Sequence, residues 1–405
     1  DVLKKQGYKV GLSGKNHSHL TDARLDFCAQ FGHEGGVGND RTEQEKSFDT
    51  FLRDLRHRTY LQPTPFPVEC QGPYRIVTKA QKWIGSLTGS PFFLWLTFAE
   101  PHNPYQVPEP YYSLFPPETL PPCRSDESAL EKKSYRWNWL RKMWDRSVPG
   151  YRNQLDRTRA NYHGMLRLID DQVQRFVSFL DEKGLRENTI IVFLSDHGDF
   201  VGEYGLIRKG PDLPECLVRI PLFFTGPGIV ARDKAHDAHV SICDIMSTLC
   251  EALDGEIPDG VQGRSLWPLL TGRGYPEEEF SSAYAEHGFG GLNYDEKDDL
   301  DPLKEGALQP DGAFDCLNSW TQSGIMRMVR RGDWKLTYDK EGKGELYNLK
   351  DDPVELNNLY GQPELIKTEK SLLEELLTWL LRVQDPLPLP RRRYIMKKFS
   401  KRVER

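Results

Sequence analysis

Four short runs in this sequence carry residue types and spacings suited to chemistry on a charged group. Gly14-Lys15-Asn16-His17 sets a lysine and a histidine two positions apart, on one side of the chain if the backbone stays extended. Glu100-Pro101-His102-Asn103-Pro104-Tyr105 places a histidine between two prolines, whose fixed φ and restricted neighbours stiffen the loop. A stiff loop presents an imidazole at a set angle, as general acid–base work requires. Asp196-His197-Gly198-Asp199 puts a carboxylate beside an imidazole, a way of offering two metal ligands from a rigid frame. Lys209 follows in Gly205-Leu206-Ile207-Arg208-Lys209-Gly210. Singly, each has a plain structural reading as a surface lysine, a structural histidine or a helix-capping aspartate. Together, Lys15, His17, His102, Asp196, His197 and Lys209 suit a tetrahedral oxyanion, sulfate or phosphate. Cations neutralise its outer oxygens, a histidine protonates the leaving oxygen, and a metal polarises the centre.

These runs need elements that hold them, and the patterning supplies strands just before three of them. Val2–Gln6 reads as a helix end closed by Gly7, followed by a strand over Tyr8–Ser13. Arg75–Leu87 is amphipathic at helical spacing, and Phe92–Phe98 is an apolar run suited to a strand buried on both faces. Tyr162, Met165, Leu166, Ile169, Val173, Phe176, Val177 and Leu180 mark a long helix that Gly184 stops. Thr189–Leu194 and Ile220–Thr225 read as further continuous buried strands. Such alternation predicts an α/β fold with a mostly parallel sheet between layers of helices. Functional residues in such sheets lie just past the carboxyl ends of strands, where Lys15, His102 and Asp196 fall. Beyond about Gly272 the pattern changes. Loops fill 288–313, then Gly324–Val329, Trp334–Tyr338 and Gly344–Leu349 read as antiparallel strands and Lys367–Val383 as a helix. The expected division is a catalytic α/β domain over 1–277, a C-terminal α+β domain over 278–385 and a basic tail over 386–405.

The 405 residues carry 54 Lys and Arg against 60 Asp and Glu, a net charge of −6, so no overall positive field draws nucleic acid. No apolar run approaches the roughly 20 residues of a membrane helix, so a soluble chain with no membrane partner is expected. The seven cysteines are scattered without a CxxC pair, which argues against a zinc ribbon or a dense disulfide framework and leaves room for one bridge. The sequon Asn16-His17-Ser18 falls inside the candidate site, so glycosylation is not expected there. The tail 391–405 holds eight Lys and Arg against one Glu and reads as a solvated terminus.

Ordered blocks along nearly the whole chain resemble the formylglycine-dependent sulfatases of the alkaline phosphatase superfamily. They are Leu3–Tyr8 with Gly14–His17, Phe92–Tyr105, Asn188–Leu222, Val240–Gly272, and Glu345–Leu349 with Asp352-Pro353, Glu355 and Asn358-Leu359. The resemblance implies that fold, sulfate ester hydrolysis on a sulfated small molecule or glycan, and a divalent metal. Carried over, Asp196 and His197 bind the metal, Lys15 and Lys209 hold sulfate oxygens, His17 orients the nucleophile, and His102 acts on the leaving oxygen. The family's metal is usually calcium. His197 stands where many members have Asn, which admits a softer ion such as manganese, since calcium prefers oxygen. His287, in Tyr284-Ala285-Glu286-His287-Gly288, is a candidate for the substrate pocket.

The family's nucleophile is a Cys or Ser in C/S-x-P-x-R, oxidised to formylglycine, and this sequence contains no such motif. Asp170-Asp171 imitates the family's metal-binding pair but lies inside the long helix. Both pieces precede this chain's first residue in the family pattern, so an N-terminally truncated, inactive fragment is expected. Two other readings share the site: a phosphonate or phosphate mono- or diester hydrolase, and a catalytically dead anion-binding homologue. Lys15 with His17 favours the sulfatase. The sequence assigns neither compartment nor oligomeric state.

Overall fold

The structure is a computed structural model and describes residues 2–18, 20–288, 294–298, 301, 316–318 and 320–383. Its first sheet is built on β1 (Lys9–Lys15), where Gly11, Leu12, Ser13 and Gly14 are buried. Small residues suit this strand because neighbours crowd it. A side chain at Gly11 would meet the Trp83 ring, and one at Gly14 would lie 1.7 Å from the Thr97 carbonyl. Parallel partners flank it: β2 (Phe27–Gly32) on one side and β4 (Phe92–Thr97) on the other, with Leu12 opposite both Cys28 and Trp95. The two-residue β3 (Gly35–Gly36) adds an antiparallel edge, giving the order β3-β2-β1-β4.

The longer helices are α1 (Glu43–Leu55), α2 (Gly72–Gly85), α3 (Tyr135–Ser147), α4 (Leu155–Glu182), α5 (Asp244–Ala252) and α6 (Ile366–Arg382). Helix α1 starts at a capping box: Thr42 Oγ1 accepts from Glu45 N at 3.2 Å and Glu45 Oε2 accepts from Thr42 N at 2.7 Å. Helix α2 lies against the sheet, its Trp83 stacked on Phe27 with centroids 5.2 Å apart. The expected long helix is α4, which packs on α2 through the cluster of Trp83, Ile84 and Leu180. The largest core joins α3 to the segment 200–207, through Trp137, Leu140, Met143, Trp144, Phe200, Tyr204, Leu206 and Ile207.

Two expectations about strands are corrected. Ile220–Thr225 does not join a parallel sheet: β6 (Leu222–Thr225) runs antiparallel to β5 (Ile191–Leu194), and the two form a sheet of their own. A parallel return needs a crossover, usually a helix. Between Leu194 and Leu222 the longest helical stretch is the four residues Glu215–Val218, so the chain doubles back. Nor are the apolar runs buried on both faces. Trp95 on β4 is 52% exposed, Phe193 on β5 40% and Phe223 on β6 62%, so among the described residues no layer covers that face of these strands. No two of the seven cysteines are joined.

The C-terminal strands form an antiparallel sheet in the order β10-β9-β8-β7: β7 (Ser282–His287), β8 (Met326–Arg331), β9 (Trp334–Asp339) and β10 (Gly344–Asn348). Helix α6 covers it through Leu372, Leu376 and Trp379. Most of the loop expected over 288–313, and the whole basic tail, lie outside the described residues. Among the described residues no helix is long and apolar enough to cross a membrane.

Candidate active site

Strands β1, β2 and β4 are parallel, so their carboxyl ends share one edge of the sheet, and each delivers a cationic or imidazole side chain there. Lys15 closes β1. Thr97 Oγ1 donates to the Lys15 carbonyl at 2.7 Å, and Gly14 takes φ +124°, so the strand turns outward without a side chain in the way. Asn16 then folds an Asx turn, its Oδ1 accepting from Ser18 N at 3.0 Å and Ser18 Oγ at 2.7 Å, which leaves His17 exposed. The Lys15 ammonium is held below its usual range, first by burial and then by the charge of Lys209, while Asp196 pulls the other way. Those influences place Lys15, Lys209 and Asp196 within one field.

The β4 loop brings His102. Its Nδ1 sits 2.9 Å from the Asn103 carbonyl and its backbone N–H donates to Ala99 O at 3.2 Å. Donation from Nδ1 to that carbonyl leaves Nε2 as the basic nitrogen. The Asn103 side chain is itself held, Nδ2 lying 2.6 Å from His57 Nδ1. Burial keeps the His102 imidazole far below its ordinary titration range, with Arg208 and Lys209 adding positive charge nearby. Glu100, two residues earlier, presses its carboxyl onto Gly72 at the start of α2. Burial raises that carboxyl to about 7.

After β5 come Asp196 and His197. Asp196 Oδ1 accepts from His197 N at 3.0 Å and Asp196 Oδ2 lies 3.7 Å from His197 Nε2. Nδ1 of His197 faces the Gly198 carbonyl at 2.7 Å, and Nε2 takes the Lys209 ammonium at 3.0 Å. Gly198 is required here, since a Cβ would sit 1.8 Å from the Cys216 carbonyl. The loop that returns Lys209 is tied down by Asp199 Oδ1, which accepts from Val201 N at 2.9 Å and Arg208 N at 2.8 Å, while Tyr105 OH donates to Asp199 Oδ2 at 3.1 Å. Arg208 takes φ +65°, a conformation these bonds hold.

The structure therefore brings Lys15, His17, His102, Asp196, His197 and Lys209 into one neighbourhood. His287 is elsewhere: it ends β7, its Nε2 is 3.3 Å from the Thr321 carbonyl, and the charges acting on it are Asp212 and Arg136. Two residues of this neighbourhood escaped the sequence reading. His33 follows β2 as His102 follows β4, and the same strand-end rule finds it once Phe-Cys-Ala-Gln-Phe-Gly is recognised as a strand. Arg208 is hidden in sequence by the lysine beside it.

The donors present fall short of the divalent ion that the family resemblance implies. Asp196 and the Nε2 of His197 supply two ligands, and no group of three His, Cys, Asp or Glu able to hold an ion occurs among the described residues. Calcium takes six to eight oxygens, and His197 Nε2 already accepts from Lys209. The described residues do not make a divalent site by themselves.

Residues 1–255 match the family model described as Sulfatase. The chain belongs to the sulfatase family. It is 30% identical over 281 residues to an arylsulfatase of Clostridium perfringens, covering 68% of this chain and 50% of that protein. It is 28% identical over 216 residues to an N-acetylglucosamine-6-O-sulfatase of Bacteroides thetaiotaomicron, 53% of this chain and 34% of that one. The chain thus spans half or less of these curated relatives. Among solved structures, the phosphonate monoester hydrolase of Agrobacterium radiobacter superposes with a TM-score of 0.69 at 21% identity, covering 94% of this sulfatase-family chain and 79% of that one. That likeness shows that the two chains share a fold.

Proposed function

We propose that this chain forms the anion-holding and leaving-group side of a sulfuric ester hydrolase whose substrate is a sulfated carbohydrate. The observation that carries the proposal is the convergence of Lys15 and His102, from the ends of β1 and β4, and of Lys209, from the loop after β5, onto one positive neighbourhood. Lys15 and Lys209 bind sulfate oxygens as point charges, and their mutual repulsion, visible in the lowered Lys15, is relieved when an anion enters. Lys209, fixed on His197, stabilises charge on those oxygens through the reaction. His102 presents Nε2 to the departing oxygen. Burial first, and the nearby cations second, keep the ring neutral in the empty site; an anion between the lysines offsets the cations' share and so favours the protonated ring that passes its proton to the departing oxygen. His17 orients the attacking group at the open rim. A formylglycine hydrate would supply attack on sulfur, and a divalent ion would polarise the ester. The sequence holds no C/S-x-P-x-R, so neither the nucleophile nor a complete metal site comes from the described residues.

A sugar is favoured over other sulfated molecules by the relative named for N-acetylglucosamine-6-O-sulfate chemistry. Competition of nitrophenyl sulfate, glucosamine 6-sulfate, phenyl phosphonate and phenyl phosphate for the pocket tests the proposal, because this sequence carries no C/S-x-P-x-R nucleophile motif. Tightest binding is expected for a sulfate ester. A phosphonate or phosphate bound more tightly than every sulfate would assign the pocket to that chemistry instead. Inorganic sulfate bound more tightly than any ester would make this an anion-binding homologue.

A further inference from the structure

His33 stands at the centre of the neighbourhood without a role in the steps above. Its ring lies on that of His102, centroids 3.9 Å apart and planes tilted by 31°, and meets His17 edge-on at 6.1 Å. Its Nδ1 is buried and accepts no hydrogen bond from any described residue. A buried imidazole nitrogen without a partner costs stability and asks for a reason. The surroundings exclude one reason at once. Burial first, and then the charges of Lys15, Arg208 and Lys209, push His33 down to about 3, so it is no proton carrier near neutral pH. Its position supplies another. Among the described residues one hydrogen bond orients the His102 ring, from Nδ1 to the Asn103 carbonyl, and a single bond does not by itself fix the tilt of the ring about it. The flat face of His33 removes that freedom.

We infer that His33 is a positioning residue that seats the His102 ring by stacking on it, so that Nε2 of His102 faces the anion between Lys15 and Lys209. The inference rests on the proposed anion pocket. It acts through ring shape, not through the His33 nitrogens. Offset aromatic pairs contribute about 0.5–1.5 kcal/mol beyond area burial, which corresponds to roughly a two- to tenfold change in an equilibrium that depends on the stack. A polar ring serves here where an apolar one would also stack, which makes the choice of variants informative.

The test uses the 405-residue chain labelled at its histidine rings, with His33→Phe, His33→Leu and His33→Ala beside the parent. Two readouts are followed: the pH titration of the His102 ring without any anion, and the affinity for inorganic sulfate. The distant His236 serves as a folding reference. In the parent and in His33→Phe, His102 should stay neutral through the ordinary histidine range. In His33→Ala and His33→Leu its titration should move upward, as a face of the ring opens, and sulfate binding should weaken about two- to tenfold. Unchanged His102 titration in His33→Ala would overturn the inference. So would His33→Phe behaving like His33→Ala, which would make the nitrogen the working group. So would His33→Leu restoring both readouts, which would reduce His33 to filler. A parent that binds no sulfate would overturn the anion pocket, while the His102 titration still decides the stacking.

Discussion

At the residue scale, the site is a small set of cations kept short of anions. Asp196 and Glu100 are the carboxylates whose charges reach Lys15, and burial raises Glu100 to about 7, so near neutral pH positive charge dominates. The division of labour between His102 and Lys209 follows from their attachments and is measurable. On any sulfate ester the protein turns over, His102→Ala should cost alkyl sulfates roughly 10²–10⁴-fold, the usual share of general acid–base catalysis. It should cost nitrophenyl sulfates far less, because those groups leave without a proton. Lys209→Ala should depress both alike. Equal losses for His102→Ala on the two substrates would show a sulfate ligand and not an acid. Glu100 makes a second prediction with a definite sign. Its folded-state value lies above the ordinary 4.5, so it holds a proton that the unfolded chain releases first, and its contribution to stability is lost as pH rises from 4.5 through about 7. Glu100→Gln should therefore match the parent near pH 5 and exceed it by about 1–2 kcal/mol at pH 8, read by denaturant unfolding. A gain confined to acid pH would reverse the sign. The strand-end motifs made Lys15, His102, Asp196, His197 and Lys209 legible, because a stiff or buried run followed by a polar group is visible in one dimension. His33 was not, since its meaning comes from a ring stack across two strands.

At the element scale, the parallel trio β2-β1-β4 does the positioning, and its tightness depends on the small residues of β1. Gly14 is the critical joint: positive φ and the Thr97 carbonyl both exclude a side chain. Gly14→Ala should destabilise the fold by about 2–4 kcal/mol, the sum of overpacking and backbone strain, and should displace Lys15. A loss below 0.5 kcal/mol with sulfate affinity intact would show that the joint is slack. The long periodicity of α4 is legible, and β1, β4, β5, β6, β8, β9 and β10 form where the sequence predicts strands, whereas β2, β3 and β7 are not signalled. The pairing of the strands is not legible either. Direction depends on what lies between two strands, and the absence of a crossover helix before β6 decided it. The tie between the C-terminal sheet and the loop after β5 was also invisible in sequence. Lys335 on β9 is wholly buried, with Nζ 2.7 Å from Glu355 and 3.3 Å from Glu215, and it also donates to the Leu213 carbonyl at 2.5 Å. This network anchors the loop that leaves Lys209, yet a lysine on an alternating strand reads as solvent-facing.

At the scale of the whole molecule, two surfaces matter: the apolar strand faces and the positive neighbourhood. Trp95, Phe193 and Phe223 stand exposed on strands with unpaired edges, a combination that favours edge-to-edge association. The chain should self-associate at micromolar concentration, and Trp95→Lys with Phe223→Lys should shift it toward monomer in analytical ultracentrifugation. A parent that sediments as a monomer would show these faces to be harmless. The central claim, that strand ends assemble an oxyanion pocket inside a molecule of net charge −6, is tested most directly by calorimetric titration of inorganic sulfate into the chain. Saturable one-site binding is predicted, weakened at least tenfold by Lys15→Ala or Lys209→Ala and reduced by added salt. Binding unaffected by either lysine substitution, or no binding at all, would contradict the account.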